Sequence, residues 1–169
     1  RTETLEALMH ILAQGDTSRL HARLVRKDGV AIATDGGASE TRDGIRLAIY
    51  AVAAPRASIE RIETAIDEEL RAIAEAGVSE DELVRAITVI ATKDTYDGDK
   101  QLTSALRVAT GFAAGRSLDD MRQRTRRLGL VTRDDVRKAA AAELRSNRIV
   151  TGILRPAGET PSETVDARR

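Results

Sequence analysis

The sequence lacks cysteine and tryptophan, and its 169 residues include only one Phe, two Tyr and two His. The absence of Cys excludes disulfides, thiolate metal sites and Cys nucleophiles, and it leaves the compartment open. Lys and Arg number 27, as do Asp and Glu, so the positive field that a nucleic-acid clamp needs is missing. No window approaches the about 18 apolar residues of a membrane span. We therefore expect neither nucleic acid nor a membrane among the partners.

The two histidines, His10 and His21, do not have the spacing of a metal site. Zinc and iron sites built from His and carboxylate usually need at least two His that converge, often from one helix face. These two share no i, i+3 or i, i+4 relation, and no G-x-S-x-G nucleophile elbow is present. We expect no metal in this chain and no catalysis by this chain alone.

The sequence begins with helical patterns and then changes to the strand period. Residues 3–14 place five apolar residues on one helical stripe, and Gly15 ends it. Asp16 or Thr17 is predicted to cap a second short helix that closes at Gly29. Residues 30–34 and 45–52 are rich in β-branched residues, and the polar stretch 39–44 joins them, which predicts an antiparallel hairpin. The Gly36-Gly37 pair predicts a bulge or bend.

The rest of the chain is mostly helical. Ser58 is predicted to cap one helix, and Ser79 with Glu82 forms a capping box for the next, with Val78 and Leu83 as hydrophobic staple. A pause is predicted at residues 97–99. A further apolar helical pattern follows, and short helices are predicted after Ser117 and Thr132. The residues of that further pattern are Leu102, Ala105, Leu106, Ala109 and Phe112.

Residues 149–154 are predicted to form a third and last strand. Three strands and six or seven helical pieces in separate runs indicate an α+β fold, with an antiparallel or mixed sheet covered by helices. The sheet is small for this much helix, and the chain opens inside a helical run without an initiator Met. We expect opening strands upstream. The predicted organisation is a single domain over 1–155 and a flexible tail over 156–169.

Four phrases, in order, resemble the pitrilysin-type zinc peptidases. TSRLHARLV from Thr17 is similar to the family's SRLYxxLV segment, and GVSEDELVRAITVI from Gly77 to its GVTEEELxRAK helix start. The stretch from Thr110 to Leu144 resembles the family's TGxPLDD and VTxEDV segments, and 148–154 resembles its closing strand. The resemblance covers most of the chain, and is to the C-terminal half of bacterial members of the branch that resembles mitochondrial processing peptidase.

The resemblance implies that two homologous halves enclose an unfolded peptide and that zinc lies in the other, N-terminal half. That zinc is held by an H-x-x-E-H helix, which is absent here. We therefore expect a non-catalytic C-terminal domain of a zinc metalloendopeptidase, with the zinc-bearing half or a partner subunit and an extended peptide as partners. Unpaired strand edges predict that the chain alone self-associates. Resemblance to exported bacterial members favours the periplasm over the cytoplasm.

Many relatives contribute an Arg and a Tyr, seven residues apart, that grip the substrate carbonyl. The resemblance places these roles at Val25 and Ile32, neither of which can donate a hydrogen bond. Arg26 is one step away, and one step on an α-helix rotates a side chain by about 100°. The role is therefore not assigned to Arg26. The substrate-binding residues stay unidentified, and no catalytic residue is expected in this chain.

Three other features are interpreted as structural. Asp94, Asp97 and Asp99 lack the ligand spacing of an EF-hand loop. The basic run of Arg122, Arg124, Arg126 and Arg127 is flanked by aspartates at 119, 120, 134 and 135, which favours exposed charge pairing over phosphate binding. Gly111 and Gly115 form a G-x-x-x-G pattern, which predicts close helix packing.

Two other functions remain open. Inactive members of the same family act as scaffold or partner subunits, and the missing Arg/Tyr pair favours that alternative to a peptidase domain. An unrelated α+β binding domain is the other alternative, because a fold does not fix a function.

Overall fold

The computed structural model describes residues 1–144 and 149–155, and its elements confirm the predicted α+β class. Helix α1 (Thr2–Ala13) is followed by a π-helix (His21–Lys27) and then by a hairpin of β1 (Ala31–Thr41) and β2 (Gly44–Ala53). The helices that follow are α2 (Ile59–Ala76), α3 (Glu80–Gly98), α4 (Gln101–Ala113), α5 (Leu118–Arg122), α6 (Arg124–Leu128) and α7 (Arg133–Glu143).

Helix α1 lies at the centre of the core. It contacts the hairpin on one side and α3, α6 and α7 on the other. Its apolar stripe is buried as predicted, and the stripe consists of Leu5, Leu8, Met9, Ile11 and Leu12. The inward residues of β2 pack onto the clusters around this helix, because alternate residues of a strand share one face. These β2 residues are Ile45, Leu47, Ile49, Ala51 and Ala53.

The glycine pair in β1 does not form the predicted bulge. The strands are longer than predicted, and the register shift lies between Ala31 and Ala33 instead. Gly36 is buried against α1, where an added Cβ would lie 2.6 Å from the Cβ of Ala13 and 2.8 Å from the carbonyl oxygen of Ala48. The glycine therefore allows helix and strand to approach closely, which a strand pattern does not distinguish from a bulge.

The predicted helix starts are confirmed at four places, and one is wrong. Ser58 caps α2 and Ser117 caps α5, while Ser79 with Glu82 and Thr132 with Asp135 form complete capping boxes. The helical turn before the π-helix is not capped by Asp16 or Thr17. Ser18 accepts the bond there, at 3.4 Å from the backbone nitrogen of His21. Gly15, with φ +79°, begins a turn in which its carbonyl oxygen accepts a bond from the backbone nitrogen of Ser18 at 3.1 Å, and the helix starts after this turn.

The predicted third strand is absent from the described residues. Residues 149–155 have no regular secondary structure, and the sheet that the structure describes has two strands. Val150 is 96% exposed and Leu154 99% exposed. A β-branched segment forms a strand only when a neighbour satisfies its backbone groups, and no described strand pairs with this one. The predicted tail over 156–169 lies outside the described residues.

Candidate peptide-binding face

The hairpin turns one side towards solvent, and this side is apolar near the bulge and polar near the turn. We call the apolar part the outer face, and it consists of Ile32, Ala33, Ala48, Tyr50 and Val52. The polar residues on the same side are Asp35, which lies opposite Tyr50, and the pair Ser39 and Arg46. Tyr50 is 62% exposed and Val52 52% exposed. The bulge sets two residues of β1, Ile32 and Ala33, against Val52 of β2, so both reach the same surface. Apolar side chains this exposed are unusual on the solvent side of an antiparallel sheet, which makes the outer face a candidate binding surface.

Each strand of the hairpin also has a side that no other described strand pairs with. In the described part of the chain β1 pairs only with β2, in antiparallel register from Ala31 opposite Ala53 to Thr41 opposite Gly44. An unpaired side presents backbone N–H and C=O groups at the spacing that an extended chain matches. The outer face and the two strand sides therefore offer apolar and main-chain contacts together.

The structure separates the positions singled out in the sequence. Ile32 belongs to the outer face, at the bulge, and is 61% exposed. Val25 is on the π-helix, half-buried, and packs on the cluster that contains Met9, Leu12 and Leu20. Arg26 follows it and is exposed. Neither Val25 nor Ile32 has a side-chain donor, whereas Tyr50 of the outer face has a hydroxyl group.

An ion pair that the sequence analysis missed fixes the chain before the π-helix. Arg19 donates from Nε to Glu82 Oε1 at 2.7 Å and from Nη2 to Glu82 Oε2 at 2.8 Å, and Nη2 lies 3.1 Å from the carbonyl oxygen of Gly77. Glu82 also closes the capping box with the backbone of Ser79. The hydrogen bond from Arg19 lowers the pKa of Glu82 to about 2. Two phrases that carry the family resemblance thus meet in space.

Arg23 fixes the π-helix itself. Its guanidinium pairs with Glu68 and with Glu69 of α2, the latter at 3.2 Å, and Nε lies 3.5 Å from Asp28. These contacts join the helix that precedes β1 to the helix that follows β2. Both ends of the hairpin are therefore attached to the same support, and the outer face is preformed.

The residues present do not fit a zinc site. His10 lies in α1, where burial lowers its pKa below the usual range. His21 lies in the π-helix, with Nε2 3.7 Å from Asp16. Across residues 1–144 and 149–155, no three His, Asp or Glu side chains are placed to hold a metal ion. In the same residues, no helix is long and apolar enough to cross a bilayer.

The acidic and basic motifs pair with each other. Asp94 contacts Arg124 and Arg107, and Asp97 contacts Lys93 and Lys100. These are ion pairs, as expected for a solvated helix end. The basic run differs from its prediction in its partners. Arg124 bridges Asp94 and Glu6 of α1, each at 2.8 Å, and is largely buried.

Arg127 of the same run contacts a buried acid. It donates to Glu3 of α1 at 2.9 Å and lies 2.7 Å from Asp120. Burial is the largest single influence on the pKa of Glu3 and raises it, but the hydrogen bonds from Arg127 and the backbone, together with the charges of Arg127 and Arg116, outweigh burial, and the pKa is lowered. An open cleft of about 550 Å³ adjoins this pair, and its lining acids and arginines largely satisfy one another. The cleft is thus part of the scaffold.

Comparison with known proteins gives one family and several similar folds. Residues 1–90 match the family model described as the peptidase M16 inactive domain. The inactive peptidase domain of a candidate zinc protease from Bordetella parapertussis superposes with a TM-score of 0.76 at 21% identity, covering 86% of this chain and 79% of that one. A peptidase M16 inactive domain from Pseudomonas fluorescens superposes with a TM-score of 0.71 at 15% identity, covering 83% of this chain and 33% of that one.

A protease from Helicobacter pylori gives a TM-score of 0.76 at 17% identity and covers 87% of this chain. The chain spans 35% of that protease, about a third of its length. No curated protein sequence matches the chain significantly. At these identities the solved structures establish the fold, and the match over more than half of the chain carries the family.

Proposed function

Because this chain belongs to the family of peptidase M16 inactive domains, we propose that it serves a zinc metalloendopeptidase by closing the substrate chamber and binding extended peptide. The chain is a C-terminal, non-catalytic domain of the pitrilysin type, and the zinc of such peptidases belongs to the other half. Its partners in this proposal are the zinc-bearing half, or a partner subunit that carries it, and an unfolded peptide.

The hairpin is the observation that carries the proposal. An extended peptide that pairs with a strand side gains main-chain hydrogen bonds that depend little on its sequence. The outer face beside it supplies apolar contacts through Ile32, Tyr50 and Val52. This combination suits a peptidase that acts on varied unfolded segments, because affinity comes from backbone shape and apolar area.

Val25 and Ile32 favour a second candidate function. These positions contain no group that can stabilise a substrate oxyanion. An inactive scaffold subunit of the same family needs no such group. The peptidase requires a zinc motif in the complete protein, and the scaffold subunit does not. The proposed binding of peptide by the outer face applies only to the peptidase.

The peptide-binding proposal is tested by fluorescence anisotropy. A fluorescein-labelled peptide of alternating valine and threonine is titrated with the 169-residue chain and with Val52→Glu. We expect at least about a tenfold loss of affinity in the variant, because a charge replaces an apolar contact at the bulge, beside Ile32 and Ala33. The matched control is Val84→Glu on α3, where the wild-type side chain is 54% exposed and the titration should not change. Equal affinity of both variants would contradict peptide binding by this face.

Two further proposals concern the state of the chain. The strand sides that are unpaired within the described residues support self-association of the 169-residue chain, which sedimentation over a range of concentrations would show. We also propose a periplasmic location, on the resemblance to exported bacterial members alone. Fractionation of cells expressing the complete gene tests it.

A further inference from the structure

Helix α4 has its amphipathic pattern turned outwards. Its half-buried side, which faces the rest of the domain, consists of Thr103, Ser104, Val108 and Gly111. The opposite side is apolar, and we call it the outer stripe; its residues are Leu102, Ala105, Leu106, Ala109, Phe112 and Ala113. Leu102 is 73% exposed, and none of the thirteen residues of the helix is buried. A surface helix normally turns such a stripe to its own core.

The orientation of α4 is fixed by its packed side. An added Cβ on Gly111 would lie 2.3 Å from the Sδ of Met121, so α4 and α5 are in close contact there. Arg107, the one charged residue of α4, lies 3.4 Å from Asp94 of α3. The helix therefore cannot rotate its apolar side inwards without losing both contacts. Its outer stripe is a preformed surface.

The composition of the helix indicates a surface that another molecule covers. One of its thirteen residues is charged, whereas 32% of the whole chain is charged. Depletion of charge at an apolar centre is typical of the buried core of an interface. Gly115, by contrast, follows the helix with φ +85° and has no atom within 4 Å of an added Cβ, so the G-x-x-x-G pattern packs through Gly111 alone.

We propose that the outer stripe of α4 docks on the zinc-bearing half of the complete peptidase; this inference rests on the proposed function. A second, separate copy of the chain is a less suitable partner for the outer stripe. A helix of thirteen residues is about 20 Å long, and a stripe about 12 Å wide offers roughly 250 Å². A stable interface between separate molecules buries about 800 Å² on each.

A half that is linked in the same polypeptide needs less area. Its effective concentration is in the millimolar range, so a small apolar surface is enough to hold the two halves together. The relatives make this occupant available, since the Helicobacter pylori protease is matched over 35% of its length and the remainder lies beyond the matched domain. The other half of the peptidase would gain apolar contact at the outer stripe without burying a charged side chain.

The absence of Cys in the chain permits a direct test. Leu106→Cys places a thiol in the outer stripe, and Leu130→Cys, at a side chain 67% exposed outside α4, is the matched control. Each variant is made in the 169-residue chain and in the complete gene product, and maleimide labelling of that thiol is followed by mass spectrometry. We expect similar rates in the 169-residue chain. In the complete product we expect at least tenfold slower labelling at position 106 only.

Each outcome is decisive. Equal labelling of both positions in the complete product would overturn the docking surface. Protection at position 106 in the 169-residue chain that increases with concentration would overturn it too, because the occupant is then a second copy. The zinc content of the same preparations reports on the proposed function separately. A complete product without zinc in which position 106 is still protected would refute the peptidase but leave the docking surface of the two halves standing.

Discussion

The contact between Arg19 and Glu82 predicts a defined dependence of stability on pH. The Glu82 side chain is 24% exposed and its pKa falls from 4.5 to about 2 in the folded chain. A difference of about 2.5 pKa units corresponds to roughly 3 kcal/mol of stability at neutral pH. Because the folded pKa is the lower one, this contribution is complete above pH 4.5 and is lost as the pH falls towards 2. Roughly 2 kcal/mol of it should be lost between pH 7 and pH 3.

The perturbation is Glu82→Gln, which keeps a side-chain acceptor for the capping box but removes the charge. We expect the free energy of unfolding at pH 7 to fall by about 2–3 kcal/mol, and the difference from wild type to shrink at pH 3. Urea denaturation followed by circular dichroism measures both. Glu80→Gln is the control, since Glu80 is in the same helical turn but 68% exposed, opposite an exposed Arg133. A difference from wild type that is the same at both pH values would refute the assignment of this stability to the ion pair.

Two further changes test the packing of α1 by urea denaturation. Gly36→Ala should lower the free energy of unfolding by about 1–3 kcal/mol, because the new Cβ meets Ala13 and the carbonyl of Ala48. In the control Gly37→Ala the new Cβ has no atom within 4 Å, so the free energy of unfolding should change by less than about 0.5 kcal/mol. Equal effects of the two variants would disprove the close approach of α1 and β1. Arg124→Leu should cost about 2–4 kcal/mol, because Glu6 loses its arginine in a largely buried place and Asp94 keeps only the more exposed Arg107. Arg126→Leu, at an exposed position of the same helix, should be nearly neutral, and a neutral Arg124→Leu would contradict the bridging role.

Features set by neighbouring residues were predictable from the sequence. The hairpin, the cap at Ser58 and the capping boxes at Ser79 and Thr132 depend on a few adjacent positions, and all four are confirmed. The helix pattern of α1 likewise identified its buried stripe. In each case the periodicity or the cap acts within about one helical turn or one strand pair.

Features set by distant residues were not predictable in the same way. Arg19 and Glu82 are 63 positions apart, and Arg124 and Glu6 are 118 apart. Composition shows that charges are balanced, but it does not show which charges meet. The apolar pattern of α4 predicted a helix correctly, yet periodicity does not say whether the apolar side faces its own core or a partner. The same holds for residues 149–154, whose strand character needs a neighbour.

The candidate site was partly accessible from the sequence. Ile32 was singled out by resemblance and lies on the outer face, but Tyr50 and Val52 joined it only through the register of the hairpin. Their alternation with Ile49 and Ala51 was visible in the sequence. The signal that could have identified them is the apolar character of both faces of β2 from Leu47 onwards, which is unusual for a strand with one side in water.

The most direct test of the central claim is zinc content and chelator-sensitive peptide cleavage, measured on the complete gene product beside the 169-residue chain. A non-catalytic domain of a zinc peptidase predicts about one zinc per molecule and cleavage in the complete product, and neither in the 169-residue chain. Zinc-dependent cleavage by the 169-residue chain alone would contradict the claim, and a complete product that is zinc-free and inert would show a scaffold subunit instead.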